Sequence, residues 1–202
     1  MNDRQSRPNL RGLETRALVR GGYFDRRDAL DHGISDRMLT YHVGQGRFER
    51  LYPGVFRLCT APLAAHDDLL LAWVWSNYRG AVSHESALAL YGLSDVMPSR
   101  VQLTVPPGFR RDTTRYDLHW SRLSADEIRM YEGVQVTAPA RTIVDAAAVG
   151  TGLEQIHKAI DQALRRTLVD SAQLDAAARR PHYRKRRLVL PFIEGALAHA
   201  AA

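Results

Sequence analysis

The residues from Gly33 to Leu58 carry side chains whose types and spacing suit contact with DNA. The sequence predicts a helix that begins after Ser35, a residue type that caps helix starts. Arg37, Thr40 and Tyr41 then share one face of this helix. An exposed arginine near a helix start can donate two hydrogen bonds to guanine in the major groove, and hydroxyls can reach a base or a phosphate. The pattern therefore predicts contacts with DNA bases from one helix face.

Further polar residues surround this helix. We expect the flanking arginines to contact phosphates, because the charged backbone supplies most of the affinity for DNA. Asp36 is unfavourable near phosphate, although an acid in the first turn stabilises the helix and can accept a hydrogen bond from cytosine. Use of this face for protein contacts alone is the alternative, and its basic, polar character favours DNA. The full expected DNA-contacting set is Arg26, Arg27, Ser35, Arg37, Thr40, Tyr41, Arg47 and Arg50.

The segment from Ser83 to Ser86 combines serine, histidine and glutamate, which are nucleophile and base types. However, His84 and Glu85 are adjacent on a predicted helix and must point in different directions. The zinc-protease pattern HExxH is absent because position 88 is leucine. A helix start capped by Ser83, with Glu85 in the first turn, accounts for the segment. We therefore expect a structural or interface role here and no catalytic residue.

A metal-dependent nuclease is the other enzymatic possibility. Many such enzymes place a lysine two residues after an acid on a strand, and neither Lys158 nor Lys185 has that position. The acid pairs Asp67-Asp68 and Asp126-Glu127 precede predicted helices, where acids more often act as caps. The eight histidines show no metal-ligand spacing with Cys59. We expect a protein that is not an enzyme and that has no metal and no cofactor.

Two further charged features leave alternatives open. Arg141 and Asp145 are spaced for an ion pair within one helix, exposed or buried, but Arg141 can equally anchor an acid of a neighbouring loop or partner. The segment Arg179–Arg187 holds six basic side chains in nine residues. DNA, RNA, an acidic protein face or plain solvent all suit such a run. Within it, the candidate contacts with a toxin or polyanion are Arg184, Lys185, Arg186 and Arg187.

The elements that position the N-terminal residues follow from helical spacing and turn residues. Three short helices are predicted, from Leu10, from Arg26 to His32 after the cap Asp25, and from Asp36 to about Val43. Two strand-forming runs then meet at Pro53-Gly54, a sequence typical of a type II turn. Three helices followed by a hairpin are the order of a winged helix-turn-helix domain.

The pattern breaks at Thr60 to Pro62, where we place a linker between a domain at 1–60 and a domain at 61–202. The second domain is predicted to combine several helices with a small sheet, so the fold class is α+β. Its strands are expected near 101–105, 116–120 and 134–137. Its helices are expected at Asp67–Asn77, Ser83–Tyr91, Pro139–Val149, Leu153–Leu168 and around Leu174.

Charge is distributed unevenly along the 202 residues. The net charge is +6, made of +4 in residues 1–60, −3 in residues 61–178 and +5 in residues 179–202. Two basic ends around an acidic middle suggest two surfaces that face polyanions. The single cysteine excludes an intrachain disulfide, and neither a signal peptide nor a membrane-spanning segment is predicted. We therefore expect a cytoplasmic protein.

Four segments in this order resemble AbiEi-type antitoxins. Gly22–Leu30, continued by Gly33–Arg37, is similar to the N-terminal domain of that family, and Leu51–Leu58 is similar to its wing. Ala81–Leu93 and Thr137–Asp145 are similar to its C-terminal domain. The resemblance implies a type IV toxin-antitoxin system, in which the antitoxin is paired with a nucleotidyltransferase-like toxin and represses its own promoter.

Residues and resemblance together predict an antitoxin that binds operator DNA, which we expect to be an inverted repeat, and that counteracts its toxin through the C-terminal domain. A stand-alone winged-helix regulator, with a C-terminal domain that senses a ligand or oligomerises, is the alternative. A DNA-acting nuclease is a third class. A gene for a nucleotidyltransferase immediately downstream would distinguish the first two.

Overall fold

The computed structural model describes residues 7–111, 114–180, 189–191 and 193–195, and these form two compact units. The first unit ends at Arg79 and also includes Glu132–Val134, and the second contains the remaining residues. Helices and small sheets occur together in the chain, so the predicted α+β class is confirmed. No helix within the described ranges is long and apolar enough to cross a membrane.

The first unit begins with three short helices and a hairpin, which is the predicted winged-helix order. Its strands form one antiparallel sheet in the order β1-β3-β2, with Phe24 opposite Phe56. The predictions missed β1, which has only three residues and is buried throughout, so no alternation marks it. The elements are α1 Leu10–Leu18, β1 Tyr23–Asp25, α2 Arg26–Asp31, α3 Asp36–Gly44, β2 Phe48–Tyr52, β3 Val55–Leu58 and α4 Asp67–Trp75.

An aromatic cluster forms the core of this unit. The Phe24 ring lies 5.0 Å from the Phe48 ring and 5.5 Å from the Phe56 ring, measured between centroids. Leu13 from α1 and Leu39 from α3 are buried against the same core. Because one strand, the hairpin and two helices share these contacts, the core fixes the direction in which α3 presents its outer face.

Residues 61–79 pack with the first unit, although the sequence suggested a linker at Thr60 to Pro62. The Tyr23 hydroxyl donates a hydrogen bond to the Asp67 carboxylate, and the Tyr78 hydroxyl donates one to the buried Asp28. Both hydroxyl groups therefore have raised pKa values, first because they are buried and then because an anion lies beside them. These contacts attach α4 and the chain after it to the winged helix. The functional division near residue 60 stays a prediction.

The second unit contains a five-stranded sheet in the order β6-β5-β4-β8-β7. Strand β4 is parallel to β8 and antiparallel to β5, and β5 is parallel to β6. The sequence indicated only β5, β6 and β8, since β4 has two residues and β7 shows no alternation of burial. The elements are β4 Ala81–Val82, α5 His84–Tyr91, β5 Gln102–Val105, β6 Asp117–Trp120, β7 Ile128–Tyr131, β8 Val134–Thr137, α6 Pro139–Val149, α7 Leu153–Arg165 and α8 Ser171–Ala178.

Helix α6 is the central helix of this unit and packs against α5, α7 and α8. It begins with Pro139, as predicted, because a first-turn proline lacks only an N–H that would be unpaired anyway. A 3-10 turn at Ala125–Glu127 is closed by a capping box between Ser124 and Glu127. Ser83 occupies the cap position of α5, but its side chain caps nothing; its hydroxyl lies 2.8 Å from His84 Nδ1 instead. Ser83 therefore stands at the cap position, but the prediction that its side chain caps the helix is wrong.

Candidate nucleic-acid interface

Helix α3 is held by its inner face and by its first turn. The Ser35 hydroxyl accepts a hydrogen bond from the Met38 backbone N–H at 3.4 Å, which confirms the predicted cap. Ile34 and Leu39 are fully or almost fully buried. The opposite face of the helix is therefore presented to solvent by a fixed backbone.

The outward face carries the three residues that the sequence singled out. Arg37, Thr40 and Tyr41 are all exposed, and 62% of the Tyr41 surface is accessible. The Thr40 hydroxyl donates to the Asp36 carbonyl at 3.0 Å, which orients its oxygen along the helix. The Tyr41 ring packs edge-on against His42 at 5.4 Å. The predicted shared face is confirmed, and the role of these residues in binding DNA stays a prediction.

His42 lies beneath this face and is partly buried. Burial lowers the pKa of His42, and the nearby Arg47 guanidinium lowers it further, although Glu14 acts in the opposite direction. The His42 ring also lies 5.2 Å from the Phe48 ring. The His42 ring therefore supports Tyr41 from the core side.

The expected phosphate-contacting arginines fall into two groups. Arg27, Arg37 and Arg50 are exposed and have no ion-pair partner within the described ranges of the chain. By contrast, Arg47 Nε lies 3.5 Å from the Glu14 carboxylate, and Arg26 is bound to Asp36. The first three thus have their whole guanidinium groups available to phosphate, whereas Arg47 and Arg26 each already have a carboxylate partner.

The pair between Arg26 and Asp36 was missed from the sequence. Arg26 Nε donates to Asp36 Oδ1 and Arg26 Nη2 donates to Asp36 Oδ2, both at 2.6 Å. These hydrogen bonds lower the pKa of the Asp36 carboxyl and raise that of the Arg26 guanidinium. The two residues are ten positions apart across a turn, so no helical or strand periodicity could have indicated the contact.

The wing of this domain, β2 and β3 with their connecting turn, is also attached to α2. Gly54 in the turn has φ +77°, the left-handed conformation that the Pro53-Gly54 sequence predicts. Its carbonyl accepts a hydrogen bond from the Arg26 backbone N–H at 2.9 Å. Arg57 on β3 points back to the chain, donating to the Ala61 carbonyl at 2.8 Å. It therefore does not belong to the outward cationic set.

A separate polar cluster lies inside the second unit. Arg141 donates from Nε to Asp145 and from Nη1 to Glu127, each at 2.8 Å, and all three side chains are buried. Burial alone would raise the pKa of Glu127, but hydrogen bonds from Ser124 and Arg141 outweigh it and hold the pKa below its usual range. The sequence left a helical ion pair and an anchor to another segment as alternatives. Arg141 does both at once.

A cavity of about 260 Å³ borders this cluster. Arg180 donates to the Ser124 hydroxyl at 2.8 Å and also contacts Asp126, while its Nη1 lies 3.2 Å from Glu127. Hydrogen bonds from Ser124 first and then from Arg180 lower the pKa of the Asp126 carboxyl to about 2. The acid pair that the sequence raised as a metal-ligand candidate is therefore engaged by arginine and by a cap.

The remaining candidates have structural partners. The ring of the buried His84 stacks on His119 at a centroid distance of 3.6 Å, and the Glu85 carboxylate accepts from the Thr151 hydroxyl at 2.8 Å. Asp67 accepts from Tyr23. No group of three or more His, Cys, Asp and Glu side chains in the described part of the chain is arranged to hold a metal ion. The predicted toxin or polyanion contacts Arg184, Lys185, Arg186 and Arg187 lie outside the described residues.

Two protein families match the chain. The family described as transcriptional regulator, AbiEi antitoxin, matches residues 13–58, and the AbiEi antitoxin C-terminal domain matches residues 80–190. The second match alone covers more than half of the chain. The chain belongs to the AbiEi antitoxin family. The first match lies within the first unit, and the second lies in the second unit apart from Glu132–Val134. The two matches support a transcriptional regulator of the antitoxin class.

A solved structure shares the fold. The crystal structure of the RV2827C protein from Mycobacterium tuberculosis superposes with a TM-score of 0.58 at 14% sequence identity, covering 95% of this chain and 80% of that one. At this identity the likeness concerns the fold alone. A comparison with curated protein sequences gives no significant match.

Proposed function

We propose that this AbiEi family member acts in the cytoplasm, represses its own operon by binding operator DNA through the first unit, and counteracts a nucleotidyltransferase-like toxin through the second. The observation that carries the DNA-binding part is the exposed face of α3. Arg37, Thr40 and Tyr41 lie there together, and the nearby Arg27 and Arg50 have no counter-ion in the described chain. A protein-binding face would instead expose contiguous apolar surface.

In this proposal α3 enters the major groove. Arg37 in its first turn donates to a guanine edge, and Thr40 and Tyr41 contact a neighbouring base or phosphate. Arg27 on α2 and Arg50 on the wing contact phosphates on either side. Without counting Arg26 and Arg47, which already have carboxylate partners, the first unit neutralises about two phosphates, which corresponds to a salt slope of about −1.8.

The test is a gel shift with the protein's own promoter DNA and a scrambled duplex of equal length. Arg37→Ala should weaken binding to the promoter by ~1–3 kcal/mol and binding to the scrambled DNA by less. Arg50→Ala should weaken binding to both DNAs alike and lower the salt slope by about 0.9. Arg165→Ala, which alters the exposed pair with Asp161 in the second unit, is the control and should change neither. Equal losses on both DNAs for Arg37→Ala would make Arg37 a phosphate contact.

The division of labour predicts opposite phenotypes for two full-length variants. The triple variant Arg27→Ala, Arg37→Ala, Arg50→Ala should lose promoter binding but still rescue growth when the toxin is induced. A second variant, the tail variant, has alanine in place of Arg184, Lys185, Arg186 and Arg187. It should bind the promoter but rescue growth less well, because an arginine cluster can bind carboxylates or phosphates. Full rescue by the tail variant would remove the tail from the mechanism.

One observation favours the alternative of a stand-alone regulator that senses a ligand. The cavity beside Arg141 and Arg180, at about 260 Å³, lies just below the range of small-ligand pockets, and it carries charged side chains in its wall. The two proposals differ in the growth assay, since a stand-alone regulator would not protect cells from a nucleotidyltransferase-like toxin. A downstream gene of that kind, with rescue, supports the antitoxin.

A further inference from the structure

A two-pronged ion pair joins the first residue of α2 to the first residue of α3. Two parallel hydrogen bonds of 2.6 Å connect the Arg26 guanidinium with the Asp36 carboxylate. The side chains are 55% and 60% exposed, and exposed ion pairs contribute little to stability. A bidentate pair nevertheless fixes the plane and direction of a guanidinium. Stability alone thus gives no account of this pair, but orientation does.

Arg26 is also fixed through its backbone, because its N–H donates to the Gly54 carbonyl in the turn of the wing. One residue therefore connects the wing, α2 and the first turn of α3. Its Nη1 group has no acceptor among the residues that the structure describes, so it can still donate a hydrogen bond. The Asp36 carboxylate holds that free N–H group in one orientation.

The Asp36 charge matters wherever phosphate comes close. A carboxylate at the interface is repelled by the DNA backbone whatever the base sequence is. If Arg26 reaches a phosphate, its positive charge compensates for this repulsion. On DNA in which α3 is not seated in the groove, Arg26 makes no such contact and the repulsion remains. Selective weakening of the wrong complex is one way in which proteins achieve specificity.

We propose that Asp36 is a specificity-determining positioning residue: it orients Arg26 towards one phosphate of the correctly seated complex and weakens binding to all other DNA. This inference rests on the proposed entry of α3 into the major groove. The same side chain that stabilises the start of α3 then also sets the preference between operator and bulk DNA.

The test compares two DNA duplexes of equal length, one selected from a random pool by the wild-type protein and one with its sequence scrambled. Asp36→Asn keeps the side-chain shape and removes the charge. Affinity for the scrambled duplex should rise about fivefold at low salt, whereas affinity for the selected duplex should change less than about twofold. The preference, which is the ratio of the affinity for the selected duplex to that for the scrambled duplex, should therefore fall about fivefold. Circular dichroism of each variant checks that the fold is retained.

Two further variants separate positioning from net charge. Arg26→Lys keeps the charge but cannot form the fork, so preference should fall about threefold while the salt slope stays within about 0.3 of wild type. Combined with Asp36→Asn, it should lower preference no more than Asp36→Asn alone, because both variants break one contact. Asp31→Asn removes an equal charge from the exposed end of α2 and should leave preference unchanged.

Several outcomes would overturn the inference. Equal gains on both duplexes, or a matching loss of preference from Asp31→Asn, would reduce Asp36 to a general repulsive charge. Equal losses on both duplexes would leave it only a helix-stabilising role, and unchanged binding would give it none. If the wild-type protein itself prefers no DNA sequence in the selection, the proposed function fails together with this inference. If the wild type prefers the selected duplex and Asp36→Asn prefers it equally, only this inference fails.

Discussion

Replacement of Arg141 by methionine should destabilise the second unit strongly. Methionine retains much of the apolar volume but leaves the buried Glu127 and Asp145 without the cation that both contact. Arg141 donates one hydrogen bond of 2.8 Å to each carboxylate, and a hydrogen bond to a charged group contributes roughly 1.5–3 kcal/mol. Arg180 lies 3.2 Å from Glu127 and offsets part of the loss. We expect a decrease of about 3–5 kcal/mol in the free energy of unfolding.

The chain offers a control with the same spacing and residue types. Asp161 and Arg165 form an i,i+4 pair at 2.9 Å on α7, with side chains 43% and 78% exposed. Because solvent screens this pair, Arg165→Met should cost less than about 0.5 kcal/mol. The free energy of unfolding of the second unit is measured in urea by the amide hydrogen exchange of peptides from α6, because these peptides report on that unit alone.

The stability of the wild type and that of Arg141→Met should change in opposite directions with pH. Burial raises the pKa of Glu127, but hydrogen bonds from Ser124 and Arg141 lower it further than burial raises it. A lowered folded-state pKa contributes stability above the unfolded-state value, and this contribution is lost as the pH falls through the folded-state value. In Arg141→Met, burial should raise the pKa of the Glu127 carboxyl, because the main cation beside it is gone. Protonation of Glu127 should then relieve the destabilisation. The stability gap between wild type and Arg141→Met should therefore narrow between pH 7 and about pH 4.

Two results would refute this reasoning. A loss below about 1 kcal/mol, similar to that of Arg165→Met, would mean that the desolvation of three charges cancels their attraction. A gap that widens on acidification would mean that Glu127 is not the group that the arginine keeps ionised. Either result would remove the buried cluster as the contact that fixes α6 to the Ala125–Glu127 turn.

Three further outcomes are expected. Gly22→Ala should cost more than about 1 kcal/mol, because φ is +90° and the new Cβ would lie 2.4 Å from the Ala61 Cβ, whereas Gly44→Ala meets no atom within 4 Å and should be neutral or slightly stabilising in thermal unfolding. Tyr78→Phe should cost about 1–3 kcal/mol in the first unit, measured by urea unfolding, since buried Asp28 loses one donor. Purified protein with Mg²⁺ or Mn²⁺ should leave plasmid, RNA and nucleotides intact on gels and by chromatography, and metal-dependent cleavage would contradict the prediction from the sequence that the protein is not an enzyme.

Much of the first unit could be predicted because each helix carries its own signals. Asp25 and Ser35 are side-chain caps, and Pro53-Gly54 requires the left-handed φ that the structure has. The outward face of α3 follows from helical spacing once Leu39 is assigned to the core. Local rules therefore suffice for both the elements and the exposure of the candidate residues.

What could not be predicted depends on contacts between distant segments. Strand β4 exists because Val82 pairs with Val136 and Leu103, not because two residues show a pattern. Residues 61–79 join the first unit through hydroxyl groups on Tyr23 and Tyr78, and hydrophobic periodicity gives no information on such bonds. The boundary that the sequence suggested near residue 60 follows the loss of local pattern, which is a different property from compactness.

Net charge overstates the cationic surface that the first unit offers to DNA. Residues 1–60 carry 11 arginines against seven acids, but position decides how many arginines can reach phosphate. Arg16 and Arg20 both contact the buried Asp28, so they stabilise the junction of α1 and α2 instead. Arg57 is bonded to backbone carbonyls. Because phosphate contacts set the strength of binding to any DNA, removing these arginines from that role would leave a larger share of the affinity to base contacts from α3 in the proposed complex. A repressor that must find one operator among bulk DNA benefits from this distribution of charge.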